Sequence, residues 1–168
     1  MEEPFISQNC RGLKDDDALL IADHELGDRG VFAACFQETW RTGREERAGE
    51  NGALYLGCGL DVQTCRRGTV GVGLWLSDRA VAAWEAAGRE FLVANPRLIA
   101  IRLTVRDDRG RDVDLVLASG YAPDSGKPIE LSDAFYADVD ALLLKGRASD
   151  VFVFGCARAD ANATIGTD

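Results

Sequence analysis

Two periodicities alternate along the first part of the chain. Residues 4–8, P-F-I-S-Q, predict a first strand that delivers Asn9 at its end, and N-C-R-G-L at 9–13 then turns at Gly12. Leu19, Leu20, Ala22 and Leu26 recur at helical spacing behind Asp15, Asp16 and Asp17, whose carboxylates suit the positive end of a helix dipole. That helix is expected to end near Gly27. Residues 31–36 form a second apolar strand, which delivers Gln37 and Glu38. Strand, helix and strand in this order imply a right-handed crossover to a neighbouring parallel strand. Asn9 and Glu38 are therefore expected to be neighbours in space, an amide on one strand end and a carboxylate on the other.

Residues 41–51 are polar, charged and contain glycine, and read as a surface loop. Residues 54–58 and 69–76 predict strands, with Gly68, Gly71 and Gly73 marking bends or close backbone approach. Residues 77–87 fit strand and helix equally. Residues 98–105 alternate apolar and polar, D-D-R-G at 107–110 turns, and residues 113–118 return, which is the pattern of a hairpin. The hairpin leads into S-G-Y-A-P at 119–123 and places Tyr121 at a strand end. Residues 131–144, with Phe135, Val139, Leu142 and Leu143 at helical spacing, predict an amphipathic helix capped by Ser132. The wholly apolar V-F-V-F at 151–154 reads as a last strand, buried on both faces and ended by Gly155.

Beyond it stand Asp160 and Asn162, separated by one small residue. Such a pair can orient a water and hold a phosphate or a metal, or it can make turns through its own backbone. In an open α/β arrangement, sites assemble in the loops at strand ends. Asn9, Glu38, Tyr121 and the Asp160/Asn162 pair are four such deliveries in one chain.

Composition narrows the classes. A chain of 168 residues with 46% hydrophobic residues fits one globular domain. No stretch approaches the ~20 apolar residues of a membrane span, and the N-terminus is acidic where a secretory signal would be basic. An intracellular protein, cytoplasmic or nuclear, with no membrane partner is the expectation. The five cysteines are odd in number and form no C-x-x-C pair, so they read as reduced, mostly buried thiols. A net charge of −9 excludes a protein that holds nucleic acid by charge alone. It does not exclude a nuclease that recruits divalent cations with carboxylates, because the metal supplies the positive charge locally. Arg66-Arg67 is either a solvated pair or a contact for backbone phosphates.

I-S-Q-N-C-R-G-L at 6–13, F-Q-E-T-W at 36–40, R-G-T-V-G-V-G at 67–73, Y-A-P at 121–123 and D-A-N-A at 160–163 together resemble the endonuclease/exonuclease/phosphatase superfamily, the deoxyribonuclease I-like enzymes. The N-C-R-G-L and Q-E-T-W forms look most like the branch of retrotransposon-type endonucleases and craniofacial-development-protein-like sequences. The resemblance implies an α+β fold, an α/β sandwich of the deoxyribonuclease I-like type. It implies Mg²⁺ or Mn²⁺ held by Glu38 with Asn9 beside it, and a nucleic acid substrate, DNA foremost. Tyr121 would contact the scissile phosphate, Asp160 would orient or deprotonate the attacking water, and Asn162 would bind a phosphate oxygen.

Three departures from the family pattern follow. The chain ends six residues after Asn162. The family's later histidine and aspartates lie outside it, and His24, in the first helix, does not replace that histidine. The expectation is therefore a truncated domain, residues 1–168: only the N-terminal half, one mixed sheet plus flanking helices. A sheet left without its partner would self-associate through its uncovered apolar face. Second, residues 157–159 intervene before Asp160 and would displace it by about 10 Å if extended, at ~3.3 Å each. Third, Ser119 stands where relatives often carry asparagine. A metal-dependent endonuclease, incomplete in these residues, and a non-catalytic remnant or generic α/β binding domain both remain open.

Overall fold

The structure, a computed structural model, describes residues 3–13, 15–61 and 70–158. The expected strand, helix and strand are β1 (Phe5–Asn9), α1 (Asp16–Asp28) and β2 (Ala33–Gln37), and the two strands are parallel with Asn9 level with Gln37. α1 starts where Asp15 accepts a hydrogen bond from the Ala18 amide at 2.8 Å, with Asp16 and Asp17 in the first turn. Its buried face is narrower than the apolar pattern suggests: Leu19 and Leu26 are buried, but Leu20 is exposed. Part of that face belongs to Asp23. This buried carboxylate accepts hydrogen bonds from Trp75 Nε1 and the Glu50 amide, each at 2.6 Å.

Residues 41–51 are not one loop. They contain β3 (Arg44–Ala48), which pairs antiparallel with β4 (Leu54–Cys58) across a single 3₁₀ turn at Glu50–Gly52. The run R-E-E-R-A carries no apolar alternation because β3 is an edge strand with four of its five side chains exposed. Charged edge strands resist pairing with other molecules. β5 (Val72–Leu76) completes a five-stranded sheet in the order β1-β2-β5-β4-β3. Gly57 and Gly73 face each other in register, and a Cβ on either would meet the Tyr55 ring, at 2.8 and 2.6 Å. Their missing side chains make the slot the ring occupies.

The ambiguous stretch is helical: α2 (Asp78–Ala86), capped by the Ser77 hydroxyl, buries Ala80, Ala83 and Trp84. β6 (Phe91–Asn95), which the pattern did not single out, then pairs with β7 (Leu98–Arg106), and the predicted hairpin is β7 with β8 (Asp112–Ala122). α3 (Ile129–Lys145) starts two residues before the predicted helix, with Pro128 at the cap position and Ser132 inside the helix. Proline's fixed φ suits a helix start without any side-chain cap. β9 (Val151–Arg158) closes the chain's described part and lies parallel to β8.

The sandwich expected from the sequence is present, but as two sheets, not one. β6-β7-β8-β9 form a separate four-stranded sheet. β8 is paired on both sides, by β7 and by β9, so it offers no edge to the first sheet and packs face to face against it. The shared interior holds Cys35, Leu56, Leu74 and Leu76 from one sheet against Ile99, Ile101, Leu103 and Leu117 from the other. Each such side chain contributes about 1.5–3 kcal/mol through burial. α1 covers the outer face of the first sheet and α3 that of the second. The inner face expected to lie bare is thus covered from within the chain, and the premise for self-association through it is gone.

β9 also differs from expectation. It does not end at Gly155, and it is not buried on both faces, because it is the edge strand of its sheet: Val151, Phe152 and Phe154 are 51%, 38% and 44% exposed. Only Val153 and Ala157 pack against the shared core. Among the described cysteines, all free, Cys35 and Cys58 are buried, Cys10 is half-buried and Cys156 is exposed. Among the described residues, no helix is long and apolar enough to cross a membrane.

Candidate active site

The strands of both sheets converge at one end. β1 and β2 run parallel in one sheet and β8 and β9 in the other. Across the interior, Cys35 Sγ contacts Ala118 O at 3.3 Å, and three residues further along both strands Tyr121 reaches Glu38. All four strands therefore point their C-terminal ends the same way. Past the ends of β1 and β2 the two loops stay side by side: the amides of Cys10, Gly12 and Leu13 donate to the carbonyls of Gln37, Glu38 and Thr39 at 2.8–2.9 Å.

Three of the five residues nominated from the sequence meet here. Asn9 Nδ2 donates to Glu38 Oε1 at 2.8 Å, and the Tyr121 hydroxyl donates to the same oxygen at 3.0 Å. Asn9 is itself oriented by the Arg11 amide, which donates to its Oδ1 at 3.2 Å. Glu38 is half-buried and holds its carboxylate in a left-handed backbone conformation, φ +52°, with Arg11 at +48° and Trp40 at +56° nearby in sequence. Non-glycine residues adopt this region at a cost of roughly 1–2 kcal/mol each, and they concentrate at functional sites.

Tyr121 is 6% exposed. Burial, then the hydrogen bond to Glu38 and that residue's charge, push its phenol up to about 12. At neutral pH it is therefore a hydrogen-bond donor and not a phenolate. Burial likewise pushes the nearby Cys10 thiol up to about 12, so without a metal it is protonated at neutral pH.

A further residue at this end was not visible in the sequence. Arg97, in the turn before β7, donates from Nη1 to the Tyr121 carbonyl at 3.1 Å, and its guanidinium carbon lies 5.7 Å from the Tyr121 ring centroid. The turn is built by Asn95, whose Oδ1 accepts from the amides of Arg97 and Leu98. Burial lowers the proton affinity of Arg97, but a guanidinium stays charged throughout the accessible pH range. N-P-R-L marks a turn ahead of a strand. Only the pairing of β7 with β8 shows that the turn lies against Tyr121.

Asp160 and Asn162 lie outside the described residues, as do Arg66 and Arg67. What the structure adds is that Ala157 and Arg158 continue β9 in register opposite Tyr121 and Ala122, without a bulge. His24 is on α1, more than half exposed, with its Nε2 3.3 Å from Glu50 Oε1. It takes no part in this cluster.

Glu38 offers the carboxylate oxygens that a hard divalent cation takes, whereas Asn9 turns its Nδ2 toward that carboxylate and gives its Oδ1 to the Arg11 amide. Such ions, Mg²⁺ especially, need only one or two protein oxygens because they keep several waters. Among the described residues no cluster of three or more His, Cys, Asp or Glu is placed to hold a metal.

No family model matches the chain, and no curated protein matches it. A solved structure does share its fold. The crystal structure of the Xenopus laevis APE2 catalytic domain aligns with a TM-score of 0.57 over 89% of this chain, at 15% identity. The chain spans 57% of that neighbour's length. At that identity the likeness establishes the architecture: two packed mixed sheets with flanking helices, the deoxyribonuclease I-like fold.

Proposed function

We propose that this chain is a divalent-metal-dependent phosphodiesterase, an endonuclease of retrotransposon type acting on DNA. The observation that carries the reading is the convergence of Asn9 and Tyr121 on one carboxylate oxygen of Glu38, at the end of a nuclease-type sandwich. Glu38, with Asn9 beside it, would hold Mg²⁺ or Mn²⁺, which when bound stabilises negative charge on phosphate oxygens.

The chain's own residues do the rest of the binding work. Tyr121, protonated at neutral pH, is a donor for a non-bridging phosphate oxygen. Arg97 beside it and exposed Arg11 beside Asn9 give positive charge to one end of a chain whose net charge is −9. Asp160 would orient the attacking water and Asn162 would bind a phosphate oxygen. The motif order over residues 6–163 supports the retrotransposon-type assignment. We further propose that residues 1–168 belong to one domain.

The test is nicking of supercoiled plasmid by the purified chain with Mg²⁺ or Mn²⁺, beside Glu38→Ala and Asp160→Ala. Metal-dependent nicking that disappears in both variants is the expected result. A folded chain that nicks no faster than either variant would overturn the catalytic reading and leave a non-catalytic remnant.

A further inference from the structure

Directly beneath the cluster lies a second polar group that the proposed reaction does not use. Gln37, 1% exposed, points from the end of β2 into the space between the sheets. Its Nε2 lies 3.1 Å from Ser119 Oγ on β8, 3.3 Å from Ser7 Oγ on β1 and 3.4 Å from the Gly155 carbonyl on β9. That carbonyl can only accept, so the nitrogen end of the amide must face it. Ser119 Oγ passes the chain of bonds on, donating to the Phe36 carbonyl at 2.8 Å.

One buried amide therefore touches all four strands that end at the site. On three of the four strands the residue involved lies one or two positions before a residue of the site: Ser7 before Asn9, Gln37 before Glu38, Ser119 before Tyr121. β9 comes close enough only because residue 155 is glycine, since a Cβ there would lie 2.5 Å from Cys35 Cβ and 2.6 Å from Ser7 Oγ. The interior is otherwise apolar, and a buried amide in such a place is costly unless its bonds are made.

We infer that Gln37 is a positioning residue, whose bonds to Ser7, Ser119 and Gly155 set the two sheets at the separation where Asn9 and Tyr121 both reach Glu38. The inference adds a residue to the site on which the proposed function rests, but its geometry stands without any metal. Ser119 is the partner that lets a glutamine span the gap. The hydroxyl both accepts from Gln37 and donates to β2, which ties the sheets in both directions.

The experiment reads the Tyr121–Glu38 bond directly. The full chain is labelled with 3-fluorotyrosine, whose phenol ionises below that of tyrosine, and the ¹⁹F signal of residue 121 is titrated in wild type, Gln37→Met and Ser119→Ala. Loss of the Glu38 contact should lower the Tyr121 midpoint by roughly half a pH unit or more in both variants. Leu142→Ala, under α3 on the far face of the second sheet, should leave it unchanged. An unchanged midpoint in folded Gln37→Met overturns the inference. If that variant does not fold, an unchanged midpoint in Ser119→Ala does so instead.

Mn²⁺ added to the same samples separates this inference from the functional one. A variant-sensitive midpoint without Glu38-dependent broadening of the signal keeps the positioning role and removes the metal reading. Broadening with a midpoint that ignores Gln37 does the reverse.

Discussion

Replacing Arg102 by methionine removes the counter-charge of a carboxylate that has no access to water. Arg102, in β7, has a side chain only 4% exposed, and it donates from Nη1 to Asp150 Oδ2 at 2.6 Å and from Nε to Glu90 Oε2 at 2.9 Å. Glu90 is 45% exposed, so its share is discounted to about 0.5 kcal/mol. Asp150, with a side chain 0% exposed, decides the magnitude. Breaking a buried pair from one side costs ~3–5 kcal/mol. The Arg147 amide still donates to Oδ2 at 2.7 Å, which places the cost near the lower end, about 3 kcal/mol. Equilibrium urea unfolding of Arg102→Met, Asp150→Leu and the double variant measures it. The double variant should cost at least ~2 kcal/mol less than the sum of the singles, because no charge is then left alone. Additive costs, or a loss below about 1 kcal/mol in Arg102→Met, would refute the argument.

The same pair fixes a pH dependence. Burial alone would raise the Asp150 carboxyl, but the Arg147 amide and the Arg102 guanidinium outweigh it and hold it below the usual carboxylate range. The folded value is thus below the unfolded one. The contribution is complete above the unfolded value, about 3.9, and is lost as pH falls toward the folded value. Wild-type stability should therefore decline on acidification below about pH 4 by more than that of the double variant.

Three further outcomes follow from the packing. Gly73→Ala should cost ~1–3 kcal/mol in urea unfolding, since the new methyl group enters the Tyr55 ring. Trp75→Phe deprives the buried Asp23 carboxylate of its 2.6 Å indole donor and should lower stability by about 2 kcal/mol or more, read as a fall in melting temperature. Phe154→Ala, on the open edge strand, should cost less than half the ~2–5 kcal/mol of Leu117→Ala in the shared core, measured in the same denaturant series.

The sequence disclosed most where one rule governs a whole segment. The β1–α1–β2 unit follows from periodicity and handedness, and with it the meeting of Asn9 and Glu38. The alternation over 98–118 likewise put Tyr121 at a strand end. Illegible segments are those whose partners lie far away. β3 is a strand because β4 supplies its bonds, not because R-E-E-R-A prefers one. β6 is five residues long and its register slips between Phe91 and Val93. V-F-V-F looks like a central strand, yet it lies at an edge, because hydrophobicity reports on contact and not on position in a sheet. The division into two sheets follows from β8 being paired on both sides, a fact of topology that no local pattern carries. Arg97 and the bonding of Gln37 needed that topology too.

The loops that carry Asn9 and Glu38 keep a ladder of three amide-to-carbonyl bonds beyond the last strand residues, and the Thr39 amide adds a fourth to the Gly71 carbonyl at 3.1 Å. Amides in such a ladder should be protected from exchange with solvent more than those of an open loop, which hydrogen-exchange measurement would read. A ligand arriving at this end would find its first contacts already ordered and would lose little conformational entropy in making them. Association there would be governed by diffusion and charge, and differences in affinity among ligands would appear as differences in residence time.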